Sequence, residues 1–250
     1  MNTTDILGMD TYPIGSATAD QRCVDHNNKI AYKELLGAKP MIPVIQIFDW
    51  AFYNLTATQE MRSMSWQAFV GGGKGLMLYS TYEIIQMDKI TPLKDRWKDV
   101  IQFTDEIWKY KDVILSIEKV NKIEYIQNNN VSFRQWKFNK TNYITVCNLE
   151  KYKEIFKIDL LDKYKVYKEL GLGKMEKNGT QIIFYLEPID VMIIKYADKS
   201  ESKSNFVIIF VIIIIVIIFI IVIVFIAQKY FMKKYKTKTF IDSVSKLMND

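Results

Sequence analysis

Over residues 1–110 the chain alternates between runs that are apolar throughout and stretches whose apolar positions recur at helical spacing. Residues 5–14, DILGMDTYPI, alternate as a short strand stopped by Pro13, which has no N–H to give to a ladder. From Ala19 to Leu36 the apolar positions Ile30, Ala31, Leu35 and Leu36 fit a helix closed by Gly37. Met41–Trp50 is a near-continuous apolar run, the mark of a strand buried on both faces. Thr58–Val70 returns to helical spacing through Met61, Met64 and Ala68, with Thr58 at the N-cap. Gly75–Ser80 reads as another buried strand, and Pro92–Tyr110 as a long amphipathic helix. Strand and helix thus alternate through three βα units, which predicts a parallel sheet. The glycines at 71–73 follow a helix, and Lys74 is followed by Gly75 instead of Ser or Thr. They are a helix-to-strand connection and not a phosphate loop.

After residue 110 the texture changes to short alternating runs at 132–138, 142–148, 154–160, 164–170, 180–186 and 191–196, with turns at Asn128-Asn129-Asn130, Gly171-Leu172-Gly173 and Asn178-Gly179. This predicts an antiparallel sandwich whose core takes Val146, Phe156, Ile158, Phe184 and Leu186. Trp136 and Tyr143 are open to two readings: a sugar-binding face, or the packing of a spacer domain. Residues 198–204, DKSESKS, read as a polar stalk.

Phe206–Ala227 carries no charged or polar side chain, and its length of about 22 residues matches the roughly 20 needed for a transmembrane helix. A single membrane span over 205–228 is therefore expected. Lysines 229, 233, 234, 236 and 238 follow it, whereas Lys195, Lys199 and Lys203 before it are balanced by Asp190, Asp198 and Glu201. The positive-inside rule then predicts a basic cytoplasmic tail over 229–250 and an extracellular or lumenal N-terminal part, with the lipid bilayer as a partner. Sequons at Asn2, Asn54, Asn130, Asn139 and Asn178 all precede the span, as candidate glycosylation sites facing the same side. Against this, MNTTDILGMDTYPIG is not a signal peptide. Either a longer gene precedes it, or the chain is tail-anchored with its first part in the cytosol.

The formal net charge of +6 draws much of its excess from the tail, so no nucleic-acid partner is expected. Cys23 and Cys147 form no metal-binding or redox spacing, His26 is the only histidine, and neither a metal nor a cofactor is expected.

Three motifs carry a resemblance: D-x-L-G-x-D-x-Y-P-I, K-P-x-x-P-V-I-Q-x-F-x-W, and E-M-R-x-M-x-W-x-A-x-x-G-G-x-K-G-L-x-x-Y-S. Together they resemble the last three βα units of a glycoside-hydrolase TIM barrel. YLEPIDVMIIKY is similar to the closing strands of the accessory sandwich beside many such barrels. The implied fold class is α/β plus all-β: a partial (β/α) barrel over 1–110, a sandwich over 111–197, and one transmembrane helix.

The resemblance implies active-site groups at the C-terminal strand ends. Asp10, Asp49 and Glu83 are the candidate catalytic carboxyls; Tyr12, Gln46, Trp50, Tyr79 and Tyr82 are the candidate sugar-binding groups. Trp and Tyr faces stack on pyranose rings, and Gln or Asp bonds hydroxyls. Hydrolysis of an O-glycosyl bond takes two carboxyls about 5–5.5 Å or 6.5–9.5 Å apart. A full barrel has eight strands, and Gln46 stands near where such enzymes often carry a nucleophilic carboxylate. Activity would therefore need a missing N-terminal barrel half or a partner chain. The alternatives are a non-enzymatic carbohydrate-binding or structural surface glycoprotein, and a tail-anchored cytosolic protein.

Overall fold

At the centre of the first part of the molecule lies a strand with almost no exposed surface. β2 (Met41–Gln46) is flanked by β1 (Leu7–Thr11) and β3 (Met77–Tyr79) in a three-stranded parallel sheet of order β1-β2-β3. The structure, a computed structural model, describes residues 5–14, 20–48, 58–86, 92–161, 164–198, 212–224 and 229. It divides into two units, Met1–Ala197 and Asp198–Asp250.

β2 tolerates Pro43 because of where its missing N–H would point. The Met41 carbonyl accepts from the Lys74 N–H at 2.8 Å, so residues 41 and 43 both face the β3 side. Pairing with β3 begins only at Val44, opposite Met77, so Pro43 withholds nothing from a partner. A side chain at Gly73 would meet the Pro43 ring at 2.9 Å, which explains the bare backbone there. The neighbouring Gly72 has φ +117 and lies against the Tyr32 ring, so this connection needs glycine twice over.

The helices connecting the strands are α1 (Arg22–Glu34), α2 (Thr58–Val70), α3 (Thr81–Gln86), α4 (Leu93–Lys109) and α5 (Lys111–Leu115). α2 is buried nearly all round, which is why small Ser63, Ser65 and Ala68 share it with Met61, Met64 and Trp66. The Ser65 hydroxyl is satisfied by the Met61 carbonyl at 2.8 Å.

Residues 124–198 form two antiparallel-rich four-stranded sheets. The first, of order β4-β7-β10-β9, contains Glu124–Tyr125, Glu154–Asp159, Gln181–Leu186 and Lys174–Asn178. The second, of order β5-β6-β11-β8, contains Val131–Phe138, Thr141–Asn148, Val191–Asp198 and Tyr164–Leu170. Val146, Phe156, Ile158, Phe184 and Leu186 are all buried between the sheets. The second sheet is also buried on its other face. Cys147, Val191, Ile193 and Trp136 pack there against Trp66 and Phe69 of α2 and Val113 of α5. Trp136 is only 5% exposed, so it serves packing and offers no platform to a sugar.

An ionic clamp crosses the same boundary. Arg62 Nε donates to both carboxylate oxygens of Glu106, at 2.8 and 2.9 Å, and its terminal nitrogen donates to the Val191 carbonyl at 3.1 Å. Trp66 Nε1 donates to the same carboxylate at 2.7 Å. The fully buried Asp190 stands 3.7 Å from Arg62 and accepts from the Leu172 and Gly173 N–H groups.

The expected fold class, a partial barrel and sandwich carrying one transmembrane helix, is corrected here. Among the described residues no helix is long and apolar enough to cross a membrane. Within 205–228 the helix described runs over residues 212–224. The expected single-pass localisation, with an outer N-terminal part and a cytoplasmic tail, is corrected with it: no described helix supports the span on which it depended. Mixed sheets and the helices α1–α5 make up the first unit.

Candidate functional site

The C-terminal ends of the three parallel strands converge because the register aligns them. Asp10 lies opposite Val44, and Gln46 lies opposite Tyr79. One residue beyond β1, the Tyr12 ring stacks on the Tyr79 ring with centroids 5.5 Å apart and planes 23° apart. Phe48, two residues beyond β2, meets both edge-on, at 5.9 Å in each case. Each strand thus contributes one ring to a single aromatic cluster. Phe48 is buried at its base, and Tyr79 keeps 43% of its surface exposed. The Tyr79–Ser80 peptide is cis.

Asp10 is exposed beside this cluster. Burial, together with the Asp10 carboxylate and its hydrogen bond with the Tyr12 hydroxyl, pushes the Tyr12 phenol up to about 12. Tyr12 therefore stays protonated at neutral pH, donating to Asp10 and serving as no base. The carboxylate retains further acceptor positions for an incoming hydroxyl.

Gln46 does not open onto solvent. Its Nε2 donates to the Ile14 carbonyl at 2.7 Å and the Phe48 carbonyl at 2.9 Å, while its Oε1 accepts from the Ile14 N–H at 2.8 Å. This fully buried amide ties the segment after β1 to the segment after β2, and so holds Tyr12 and Phe48 in place. Arg96 of α4, only 3% exposed, supports the next residue by donating to the Ile47 carbonyl at 3.1 Å. Its Nε finds no hydrogen-bond partner among the described residues, and burial holds the guanidinium below its usual range.

Of the other candidates, Tyr82 stands largely exposed on α3. Glu83 belongs to the same helix, but its side chain lies outside the described part of the structure. Asp49 and Trp50 lie outside the described residues, as do Asn2 and Asn54. Among the described residues no cluster of His, Cys, Asp or Glu could hold a metal ion. Both cysteines are free, and Cys147 is fully buried.

The remaining sequon asparagines differ in accessibility. Asn139 is exposed in the β5–β6 turn with φ +49, and Asn178 is exposed at the end of β9. The Asn130 amide already donates to Glu154 at 2.8 Å and to the Tyr152 hydroxyl at 3.3 Å.

The sequence reading missed Phe48 and Arg96. Phe48 follows Gln46 by two residues, so strand alternation alone could have placed it beside the same end. Arg96 shares the buried face of α4 with Val100 and Phe103, and a charge at that helical spacing was the available signal.

No family model matches the chain, and no curated protein matches it. Among solved structures it is similar to Eubacterium rectale Amy13B, with 10% identity, 75% of this chain and 48% of that chain covered, and a TM-score of 0.43. It is similar to a GH27 β-L-arabinopyranosidase from Geobacillus stearothermophilus, with 11% identity, 78% and 45% coverage, and a TM-score of 0.46. A GH30 endoxylanase from Clostridium papyrosolvens matches with 10% identity, 79% and 50% coverage, and a TM-score of 0.39. The chain spans about half the length of these structures. The likeness to glycoside hydrolases is distant, and the chemistry of this chain has to be read from its own residues.

Proposed function

We propose that the chain is a carbohydrate-binding protein of glycoside-hydrolase-like build, taking a sugar at the C-terminal ends of its parallel strands. The observation that carries this reading is the Tyr12–Tyr79 stack beside the exposed Asp10 carboxylate. A pyranose presents an apolar C–H face and a rim of hydroxyls. The half-exposed Tyr79 ring suits the first, and an acceptor held at the ring's side suits the second. Binding needs only this ring face and one acceptor, whereas hydrolysis takes a pair of carboxyl groups.

Calorimetric titration of the full chain with neutral hexasaccharides of glucose, xylose and mannose tests this. Binding to at least one is expected, with Tyr79→Ala and Asp10→Asn each weakening it about tenfold, equivalent to about 1.4 kcal/mol. Unchanged affinity in both variants would overturn the assignment to the strand ends.

A further inference from the structure

Away from the strand ends, a cleft of about 390 Å³ opens where α1 meets the sandwich. Asp25, His26 and Lys29 line it from the helix; Tyr125, Gln127 and Asn129 line it from β4 and the segment that follows. The helix side is a fixed polar cluster. Asp25, 5% exposed, is paired with Lys29 at 2.8 Å and accepts the Ser132 hydroxyl at 2.5 Å. Lys29 also donates to Ser132 Oγ at 2.8 Å, so three residues hold one another in a closed set. The opposite side offers an aromatic wall. Tyr125 keeps half its surface exposed, and its ring stands edge-on to Phe133 with centroids 4.5 Å apart. Beside it the Gln127 amide donates to the Asn129 side-chain carbonyl at 3.3 Å, and both side chains are exposed.

We propose that this cleft is a second binding site, taking a neutral sugar unit. Its volume lies within the range of about 300–1,000 Å³ usual for small-molecule sites. The one carboxylate and one ammonium in its lining are paired, so their formal charges cancel and the cleft selects for neither an anion nor a cation. The amides of Gln127 and Asn129 carry both donors and acceptors, as sugar hydroxyls do. The Tyr125 ring answers the apolar face of a pyranose. The proposal shares its ligand class with the strand-end reading but none of its residues, so each can fail alone.

The same hexasaccharide titrations decide it when run on the full chain with Tyr125→Ala, Gln127→Ala and Tyr79→Ala. Gln127 is solvent-exposed, so its variant keeps the fold if Tyr125→Ala loses it. Tyr79→Ala is expected to leave a residual binding event, which Gln127→Ala weakens about tenfold and Tyr125→Ala abolishes. If Tyr79→Ala removes all binding, or both cleft variants bind as the parent chain does, the cleft proposal is overturned. Absence of binding to every hexasaccharide, or stronger binding of an oligogalacturonate, also overturns it. Binding that is lost in the cleft variants and untouched by Tyr79→Ala overturns the strand-end reading and sustains this one.

Discussion

Replacing Gln46 with methionine should cost the chain much of its stability while barely changing its volume. The amide is fully buried and makes three bonds to backbone, two to Ile14 and one to Phe48. Methionine fills similar space and makes none of them. The Phe48 carbonyl, buried with its partner, would lose this bond inside the core, at a cost of about 1–3 kcal/mol. The two Ile14 groups are partly buried and can regain water, so each loses only the net value of a hydrogen bond, about 1 kcal/mol. Together this is about 3–5 kcal/mol, several times the average point mutation. Equilibrium urea unfolding of the full chain, followed by tryptophan fluorescence, measures it directly. Hexasaccharide affinity, taken where the variant is still folded, should fall as well, because Phe48 meets both the Tyr12 and Tyr79 rings and Ile14 lies two residues after Tyr12. A loss under about 1 kcal/mol would mean that the amide does not hold these segments together, and the account of how the site is positioned would fail with it.

The Arg62 clamp and the buried phenols supply two further tests. Arg62→Met should cost about 3 kcal/mol, because it leaves the Glu106 carboxylate only partly compensated. Arg62→Met with Glu106→Gln should recover part of this, since the glutamine can still accept from Trp66; strict additivity in the double-mutant cycle would refute the coupling. Burial pushes the Tyr196 phenol, 3% exposed, up to about 12, so its contribution is fully present below about pH 10 and is lost as pH rises through 12. That window is worth about 3 kcal/mol, so Tyr196→Phe should flatten the alkaline decline of stability, with Tyr12 and Tyr110, which burial also pushes up to about 12, keeping their own shares; an unchanged slope between pH 9 and 12 would refute the assignment.

Some of these features are legible in the amino-acid order and others are not, for physical reasons. β2 is readable because a strand buried on both faces must be apolar at successive positions, and MIPVIQ is. β9, KMEKN, is almost wholly exposed at the edge of its sheet, so no alternation marks it. β4 is two residues long, too short for any period to register. At the candidate site, Tyr12 and Tyr79 are readable as strand-end residues, whereas their stacking depends on register between strands far apart in sequence. Gln46 was legible as a polar group on an apolar strand. Its partners were not, because they are backbone atoms of two connecting segments.

Trp136 and Arg62 show why the sandwich cannot be treated as a passive neighbour of the parallel sheet. A sheet with one face in solvent would leave Trp136 available to a ligand. Here α2 and α5 cover that face, and Arg62 reaches from α2 to the backbone of β11. Helix α1 makes the second connection, through Lys29 and Asp25 to Ser132 of β5. The same helix also touches β1, where the Asn27 amide meets Thr11 Oγ1 at 3.4 Å. Asp25 and Lys29, four residues apart, share one side of α1, and Asn27 between them points elsewhere, as the helical period requires. The strand-end site and the cleft are therefore related through one 13-residue helix, not through a flexible linker. The packing of α2 and α5 and the Asp25–Lys29–Ser132 set on α1 together join the strand ends to the sandwich.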